Sequence, residues 1–170
     1  MIFGDTETTG LLKPEANDLN MQPYITELYL VKLKLVENEF VFVDEFSSFF
    51  KPPMPLDPII TKITGITDEM LADAPTFANK YIELCHFFMG EDTFVAHNAA
   101  FDVGMIWTEL ARLQCEIKFP WPYRHLCTVE LSLGIEHHRL KLKDLYFKAT
   151  GLPHTGAHRA KGDVEALDLL

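Results

Sequence analysis

The sequence predicts a single α/β domain with a mixed central sheet, on three observations. Three strand-like runs follow one another in the first fifty residues, which favours an antiparallel meander. Beyond them the pattern changes to helix, strand, helix, strand and further helices, an alternation that lays helices over a sheet. No repeat, low-complexity tract or linker divides the 170 residues, a length that suits one core burying roughly two-thirds of its unfolded surface. Residues 1–170 are therefore read as one domain.

The first strand is a short apolar run, Met1-Ile2-Phe3-Gly4, leading into Asp5 and Glu7 and closed by a Thr8-Thr9-Gly10 turn. Leu11 to Pro23 is polar, turn-rich and aperiodic, a loop. Glu27 to Val36 alternates, with Tyr29, Val31, Leu33 and Leu35 on one face and Lys32 and Lys34 on the other, as in a half-buried strand. Glu37-Asn38 turns the chain into a third strand over roughly Phe40 to Phe50. The four prolines between Lys51 and Pro58 impose an irregular crossing. Pro58 opens a short helix ending at Gly65, and Thr67 caps the next turn. Thr76 to Met89 is the clearest amphipathic helix, with Phe77, Tyr81, Leu84 and Phe88 at i, i+4, i+7 and i+11. Thr93-Phe94-Val95-Ala96 is a short strand, Asn98 the expected cap of a helix running to about Gln114, and Arg124 to Thr128 another strand. Leu140 to Thr150 is helical and stops at Gly151. Pro153 to Ala157 is a loop. A last helix fills about Ala160 to Leu170 and meets no capping or breaking residue, which leaves room for the chain to continue.

With 48% hydrophobic and 24% charged residues the chain is globular. A net charge of −10 argues against a passive polyanion binder, which shows a basic surface, but not against an enzyme whose acidic site is reversed by cations. Cys85, Cys115 and Cys127 are odd in number and lack CxxC spacing, so buried reduced thiols are expected, without a disulfide framework or a zinc site. Neither a secretory leader nor a membrane-length apolar run is visible, so a cytoplasmic protein without a membrane partner is expected.

Chemistry enters with four carboxylates. Residues i and i+2 of a strand share a face, so Asp5 and Glu7 project side by side, where they repel unless a proton or a cation lies between them. An oxygen-only pair of this kind suits a hard divalent ion such as Mg²⁺ or Mn²⁺. Asp102 stands three and four residues before Met105 and Ile106, on the apolar stripe that Leu110 and Leu113 complete. Asp163 precedes Ala166, Leu167 and Leu170 in the same manner. An acid facing the core is costly unless it is paired or metal-bound. Either one alone is accounted for by a first-turn acid meeting the helix dipole; the four together point to a metal site. His158, five residues before Asp163, falls about 140° round a helix from it and so belongs to the preceding loop, from which it can lean over the site as a general base.

Three segments in order, Asp5-Thr6-Glu7-Thr8-Thr9-Gly10, His97-Asn98-Ala99-Ala100-Phe101-Asp102 and His158-Arg159-Ala160-Lys161-Gly162-Asp163, resemble the motifs of the DnaQ-like, DEDDh-type 3′→5′ exonucleases, the family of polymerase proofreading domains. Ile63-Thr64-Gly65-Ile66-Thr67 is similar to a family segment between the first two, and the resemblance covers essentially the whole chain. It implies a ribonuclease-H-like mixed five-stranded sheet of order 3-2-1-4-5, with the first three strands antiparallel, flanked by helices. It also implies two divalent ions, Mg²⁺ or Mn²⁺. On this sequence Asp5, Glu7 and Asp163 would hold the first ion, Asp5 would bridge to the second with Asp102 nearby, and His158 would deprotonate the attacking water to release a nucleoside 5′-monophosphate. Thr8, Thr9, Gly10, Leu11 and Leu12 would contact the terminal nucleotide, with Ile66 flanking its base. His97 and Asn98 would join the substrate-contacting set or orient the helix that carries Asp102, and Lys161 is in reach of a phosphate or simply solvated. Cys127-Thr128 stands where many relatives carry Asp-Thr, and the Lys13 to Gln22 loop is longer than in compact members. Both departures bear on substrate fit and leave the metal ligands untouched.

The function expected is a metal-dependent 3′→5′ exonuclease on single-stranded DNA or frayed 3′ ends, in proofreading or repair, with a DNA polymerase as the partner to look for. RNA is the first alternative substrate, because no residue marks recognition of a 2′-hydroxyl. A catalytically silent module that binds nucleic acid or a polymerase is the alternative from another class. The carboxylates and His158 argue against it, since a silent domain has no chemical need for a repulsive acidic cluster.

Overall fold

Strand β1 (Ile2–Thr8) runs through the middle of a five-stranded sheet, with β2 (Ile25–Val36) antiparallel on one side and β4 (Thr93–Ala96) parallel on the other. Strand β3 (Glu39–Phe49) pairs antiparallel with β2, and β5 (Arg124–Cys127) pairs parallel with β4. The order is β3-β2-β1-β4-β5, with the antiparallel first three strands that the sequence suggested. The computed structural model describes residues 1–154 and 159–167; His158, most of the Pro153 to Ala157 loop and the end of the helix expected to reach Leu170 lie outside the described residues.

The helices are α1 (Pro58–Thr64), α2 (Asp68–Leu71), α3 (Phe77–Phe88), α4 (Ala99–Arg112), α5 (Thr128–Glu136), α6 (Leu142–Thr150) and α7 (Ala160–Leu167). Their ends follow local chemistry. The Asp57 side chain accepts from Ile59 N–H to start α1, Gly65 closes it at φ 72°, and Thr67 accepts from Met70 N–H to start α2.

Alternation along β1 sends Ile2 to one face of the sheet and Phe3 to the other. Ile2 joins a core with Leu28, Leu30 and Phe94, covered by Phe77, Leu84 and Phe88 of α3 and by Met105, Ile106 and Leu110 of α4. Phe3 joins a second core with Tyr29, Val31 and Val95, covered by Leu142 of α6 and by Val164 and Leu167 of α7. Gly4 permits the close packing just before Asp5: a Cβ there would come within 2.6 Å of Leu30 and 2.7 Å of Phe94.

The structure corrects several local expectations. Strand β2 is buried on both faces from Ile25 to Val31, because helices cover both sides, whereas Leu35 at its far end is exposed. Asn98 enters α4 in the left-handed region (φ 69°, ψ 47°) and makes no side-chain cap, so it acts as the turn itself. Strand β5 ends at Cys127, and Thr128 starts a helix that went unread: Val129, Leu131, Leu133 and Ile135 alternate as a strand would. The three cysteines are free and only half-buried. Among the described residues no helix is long and apolar enough to cross a membrane.

Candidate active site

Strand β1 outlasts β4. The two pair at Ile2–Phe94 and Phe3–Val95, and β4 stops at Ala96, so beyond Gly4 the edge of β1 that faces β4 is open. The chain leaves β4 through His97 and the left-handed Asn98 and returns as α4, whose first turn delivers Asp102 into that opening. Asp102 is 2% exposed, and its Oδ1 accepts the Thr6 backbone N–H at 3.0 Å and the Thr6 hydroxyl at 2.8 Å. Openings between the carboxyl ends of neighbouring strands are where α/β sheets place ligand sites.

Because Thr6 faces α4, alternation turns Asp5 and Glu7 to the opposite face, toward α7. There they meet Asp163, and one carboxylate oxygen from each of the three lies within 4.8 Å of the others. Helix α7 is docked by Glu27, which stands directly across from Glu7 on β2. Arg159 Nε and Nη2 donate to Glu27 Oε2 and Oε1, both at 3.0 Å, and Ala160 N–H donates to Oε2 at 3.3 Å. A bidentate guanidinium fixes orientation as well as charge, and here it offsets two glutamates placed opposite each other across strands. His154 Nε2 lies 2.6 Å from Asp163 Oδ1, with its ring 5.6 Å from that of Tyr146.

The cluster holds its protons tightly. Burial first, then the charges of Asp102, Asp163, Glu7 and Glu27, push Asp5 well above the ordinary carboxylate range. Burial, followed by Asp163, Glu27 and Asp102, raises Glu7 to about 7 against the opposing pull of Arg159. Asp102 also rises to about 7, its burial outweighing the two Thr6 hydrogen bonds. Such acids stay protonated near neutral pH or exchange the proton for a cation. All the donors are oxygen, and oxygens within 4.8 Å of one another can share one hard divalent ion at bond lengths of about 2.0–2.6 Å. The residues present fit that ion.

The turn behind Glu7 follows a bulge between Glu7 and Thr8. The Thr8 hydroxyl donates to the Gly10 carbonyl at 2.6 Å. Thr9 N–H donates to Tyr24 O at 2.9 Å, and Tyr24 N–H donates back to Thr9 Oγ1 at 2.9 Å. Leu11 projects outward while Leu12 packs on Gly104 of α4. His97 lines a cavity of about 410 Å³ with Asp5, Asp163, His154 and Lys141, and its Nδ1 lies 2.9 Å from Thr128 Oγ1. Ile66 is fully buried with Leu56 and Leu71, so its side chain backs the wall instead of facing a base. Lys161 is exposed, 3.9 Å from Glu165.

Thr6, Glu27, Arg159 and His154 escaped the sequence reading. Alternation carried a signal for Thr6, since the residue between two acids on a strand must face the other side. An acid interrupting an apolar strand carried one for Glu27. Nothing in the spacing distinguishes His154.

A family model described as Exonuclease, of the RNase T kind, matches residues 2–168. The chain belongs to this exonuclease family. It is 35% identical over 170 residues to the DNA polymerase III PolC-type of Bacillus cereus, covering 98% of this chain and 11% of that one. With the PolC-type polymerase of Bacillus subtilis the identity is 35% over 166 residues, 95% of this chain and 10% of the relative. The exonuclease domain thus spans about a tenth of the length of these curated relatives. Exonuclease X in complex with 5′ overhanging duplex DNA superposes at a TM-score of 0.63 and 22% identity, over 99% of this chain and 86% of its own. Exonuclease I superposes at 0.75 and 18% identity, over 98% of this chain and 39% of its own. At these identities the likeness is one of fold, the ribonuclease-H-like sheet flanked by helices.

Proposed function

We propose that this exonuclease-family domain hydrolyses the terminal phosphodiester of single-stranded DNA or of a frayed 3′ end, in the 3′→5′ direction, and releases nucleoside 5′-monophosphates. The observation that carries the proposal is the meeting of Asp5, Glu7 and Asp163 within 4.8 Å, with Asp102 entering the same cleft from α4. Asp5, Glu7 and Asp163 would hold one Mg²⁺ or Mn²⁺, and Asp102 with Asp5 a second. When bound, such ions supply positive charge at the attacking and leaving oxygens of phosphoryl transfer.

The chain's own residues do the rest. Thr6 fixes the orientation of Asp102. Thr8, Thr9, Gly10, Leu11 and Leu12, with His97 and Asn98, bind and orient the last nucleotide. His158 takes the proton of the attacking water, and the bond from phosphorus to the 3′-oxygen breaks as the new phosphorus–oxygen bond forms. That the relatives are DNA polymerases, and that exonuclease X was captured with duplex DNA, favours DNA as substrate and a polymerase as partner, in a proofreading or repair role in the cytoplasm.

The test is digestion of matched 3′-labelled and 5′-labelled DNA and RNA oligonucleotides with Mg²⁺, with Mn²⁺ and with EDTA. Metal-dependent stepwise shortening of DNA from its 3′ end is expected. Faster loss of RNA would make the enzyme an exoribonuclease, and no loss of either polymer with both metals supplied would make it a silent module.

A further inference from the structure

Three of the acids in and around the site are held by a donor from another element. Thr6 holds Asp102, and Arg159 holds Glu27. The third is Asp163, and its partner is a histidine that arrives from the end of α6. That helix closes on Gly151 at φ 73°, whose N–H donates to Phe147 O at 2.8 Å. Leu152 N–H donates to Thr150 Oγ1 at 3.1 Å, and Thr150 Oγ1 donates in turn to Tyr146 O at 2.8 Å. Pro153 disfavours the helical region for Leu152, so the chain turns away from α6 instead of extending it. Leu152 in this turn is 60% exposed, yet the side chain of His154, two residues on, is only 5% exposed.

Two contacts account for that burial. The imidazole lies against Tyr146, with ring centroids 5.6 Å apart, and its Nε2 lies 2.6 Å from Asp163 Oδ1. An ionised carboxylate only accepts, so Nε2 carries the hydrogen. Such a charge-assisted bond fixes the carboxylate that receives it. Packing on Tyr146 alone would not call for a histidine, because an apolar ring packs as well and leaves no nitrogen to bury. The same imidazole lines the cavity of about 410 Å³ with Asp5, His97 and Asp163. The nitrogen that reaches the acids is committed to Asp163, which separates the role of His154 from that of a base acting on water.

We propose that His154 is a positioning residue of the cation site: its Nε2–H holds Asp163 in one orientation and leaves the rest of that carboxylate to the ion. Ligating carboxylates need such partners, and losing one weakens metal binding about 10–100-fold. His154 thereby does for Asp163 what Thr6 does for Asp102. The inference rests on the cation site proposed above.

The experiment titrates Mn²⁺ alone into the nucleic-acid-free protein by calorimetry and follows turnover of a 5′-labelled oligothymidylate against Mn²⁺ concentration. His154→Phe keeps a ring against Tyr146 and deletes the donor, whereas His154→Gln deletes the ring and keeps an N–H donor near the place of Nε2. His154→Phe should weaken Mn²⁺ binding about tenfold, and His154→Gln should stay within about threefold of wild type. The loss should lie in the Mn²⁺ requirement, with turnover at saturating Mn²⁺ falling no more than about threefold. A ring that only packs on Tyr146 gives the opposite order. His154→Phe at wild-type affinity, or His154→Gln as weak as His154→Phe, overturns the proposal. A drop of roughly 10²-fold or more at saturating Mn²⁺ in both variants also overturns it, because His154 would then act on the substrate itself. A wild type that takes up no Mn²⁺ overturns the cation site and the role of His154 with it, whereas one that binds Mn²⁺ and digests nothing overturns the exonuclease reading alone. If thermal melting shows that His154→Phe does not fold, His154→Leu takes its place under the same criteria.

Discussion

Helix α4 brings Asp102 to the site from one face of the sheet, and α7 brings Asp163 from the other. The two acids occupy equivalent places, each in the first turn of its helix, yet they are held differently. Asp102 is 2% exposed, and α4 is a fourteen-residue helix fixed by the large core, by Thr6 at one end and by Arg112 at the other. Asp163 keeps 15% of its side chain exposed, on a helix that buries Ala160, Val164, Ala166 and Leu167 in the second core and is tied at its start by the Arg159–Glu27 pair. Both halves rest on packing, and the start of α7 adds an ion pair where the start of α4 has the Thr6 hydrogen bonds. Changes on the α7 side should alter how tightly the acids gather round a cation, and changes on the α4 side should alter what the gathered site can do.

Asp5 belongs to both halves, and removing it should have the largest effect. Asp5→Ala is expected to lower DNA cleavage by roughly 10⁴-fold or more, the scale seen when a central catalytic group is lost. An Asp5→Ala protein that still digests DNA at a comparable rate would sink the metal assignment. The same variant tests the electrostatics in EDTA. Glu7 and Asp102 rise to about 7, so the folded state binds their protons more tightly than the unfolded chain does. The contribution of these acids to metal-free stability is therefore complete below about pH 4, where they are protonated in both states, and is lost as pH rises through about 7. Melting temperatures in EDTA should drop across that window in the wild type and less steeply in Asp5→Ala, which removes a neighbouring negative charge. A wild-type melt that is level from pH 5 to pH 8 would contradict the proposed crowding of charge.

His158→Ala should come next, slowing turnover by roughly 10²–10⁴-fold with cation binding retained. Calorimetric Mn²⁺ titration and rates near pH 7 check the two parts, and an unchanged rate removes His158 from the mechanism. Glu27→Gln strikes the α7 side. Arg159 is 44% exposed and keeps water, so the stability loss should be held to about 1–2 kcal/mol. The Mn²⁺ concentration for half-saturation should rise about fivefold, by calorimetry as well as by activity. If it does not move, the Arg159–Glu27 pair is structural only.

The contrast between the halves also explains what could be read beforehand. The antiparallel run of the first three strands, the helix stripe of Phe77, Leu84 and Phe88, and the four acids were legible because burial imposes a period on the sequence and each acid breaks it, whereas the full strand order came only with the family resemblance. Asp102 betrayed itself by lying on the stripe of Met105 and Ile106. Arg159 did not, because its partnership with Glu27 spans a separation of 132 residues and no local period records it. Helix α5 was missed for the converse reason, since its alternating Val129, Leu131, Leu133 and Ile135 satisfy a strand pattern while the backbone is helical. The left-handed Asn98 was missed because position alone made it look like a cap, and the same short polar side chain serves either role.

Thr6→Val is the smallest change and the sharpest test of the comparison. It keeps the shape of the side chain and the backbone N–H bond to Asp102 at 3.0 Å while deleting the hydroxyl bond at 2.8 Å. A hydrogen bond to a charged group is worth about 1.5–3 kcal/mol, but Asp102 Oδ1 retains its second donor, so the lower end applies. Turnover should fall about tenfold, because Asp102 swings on one tether where it had two. The half-saturating Mn²⁺ concentration should stay nearly unchanged, because Asp5, Glu7 and Asp163, the three that meet within 4.8 Å, face the other side of β1. Glu27→Gln should show the reverse pattern, a shifted cation requirement with turnover at saturating metal largely kept. If Thr6→Val moves the cation requirement as far as Glu27→Gln does, the two halves of the site are not separable, and Asp102 belongs with the cluster that gathers the first ion.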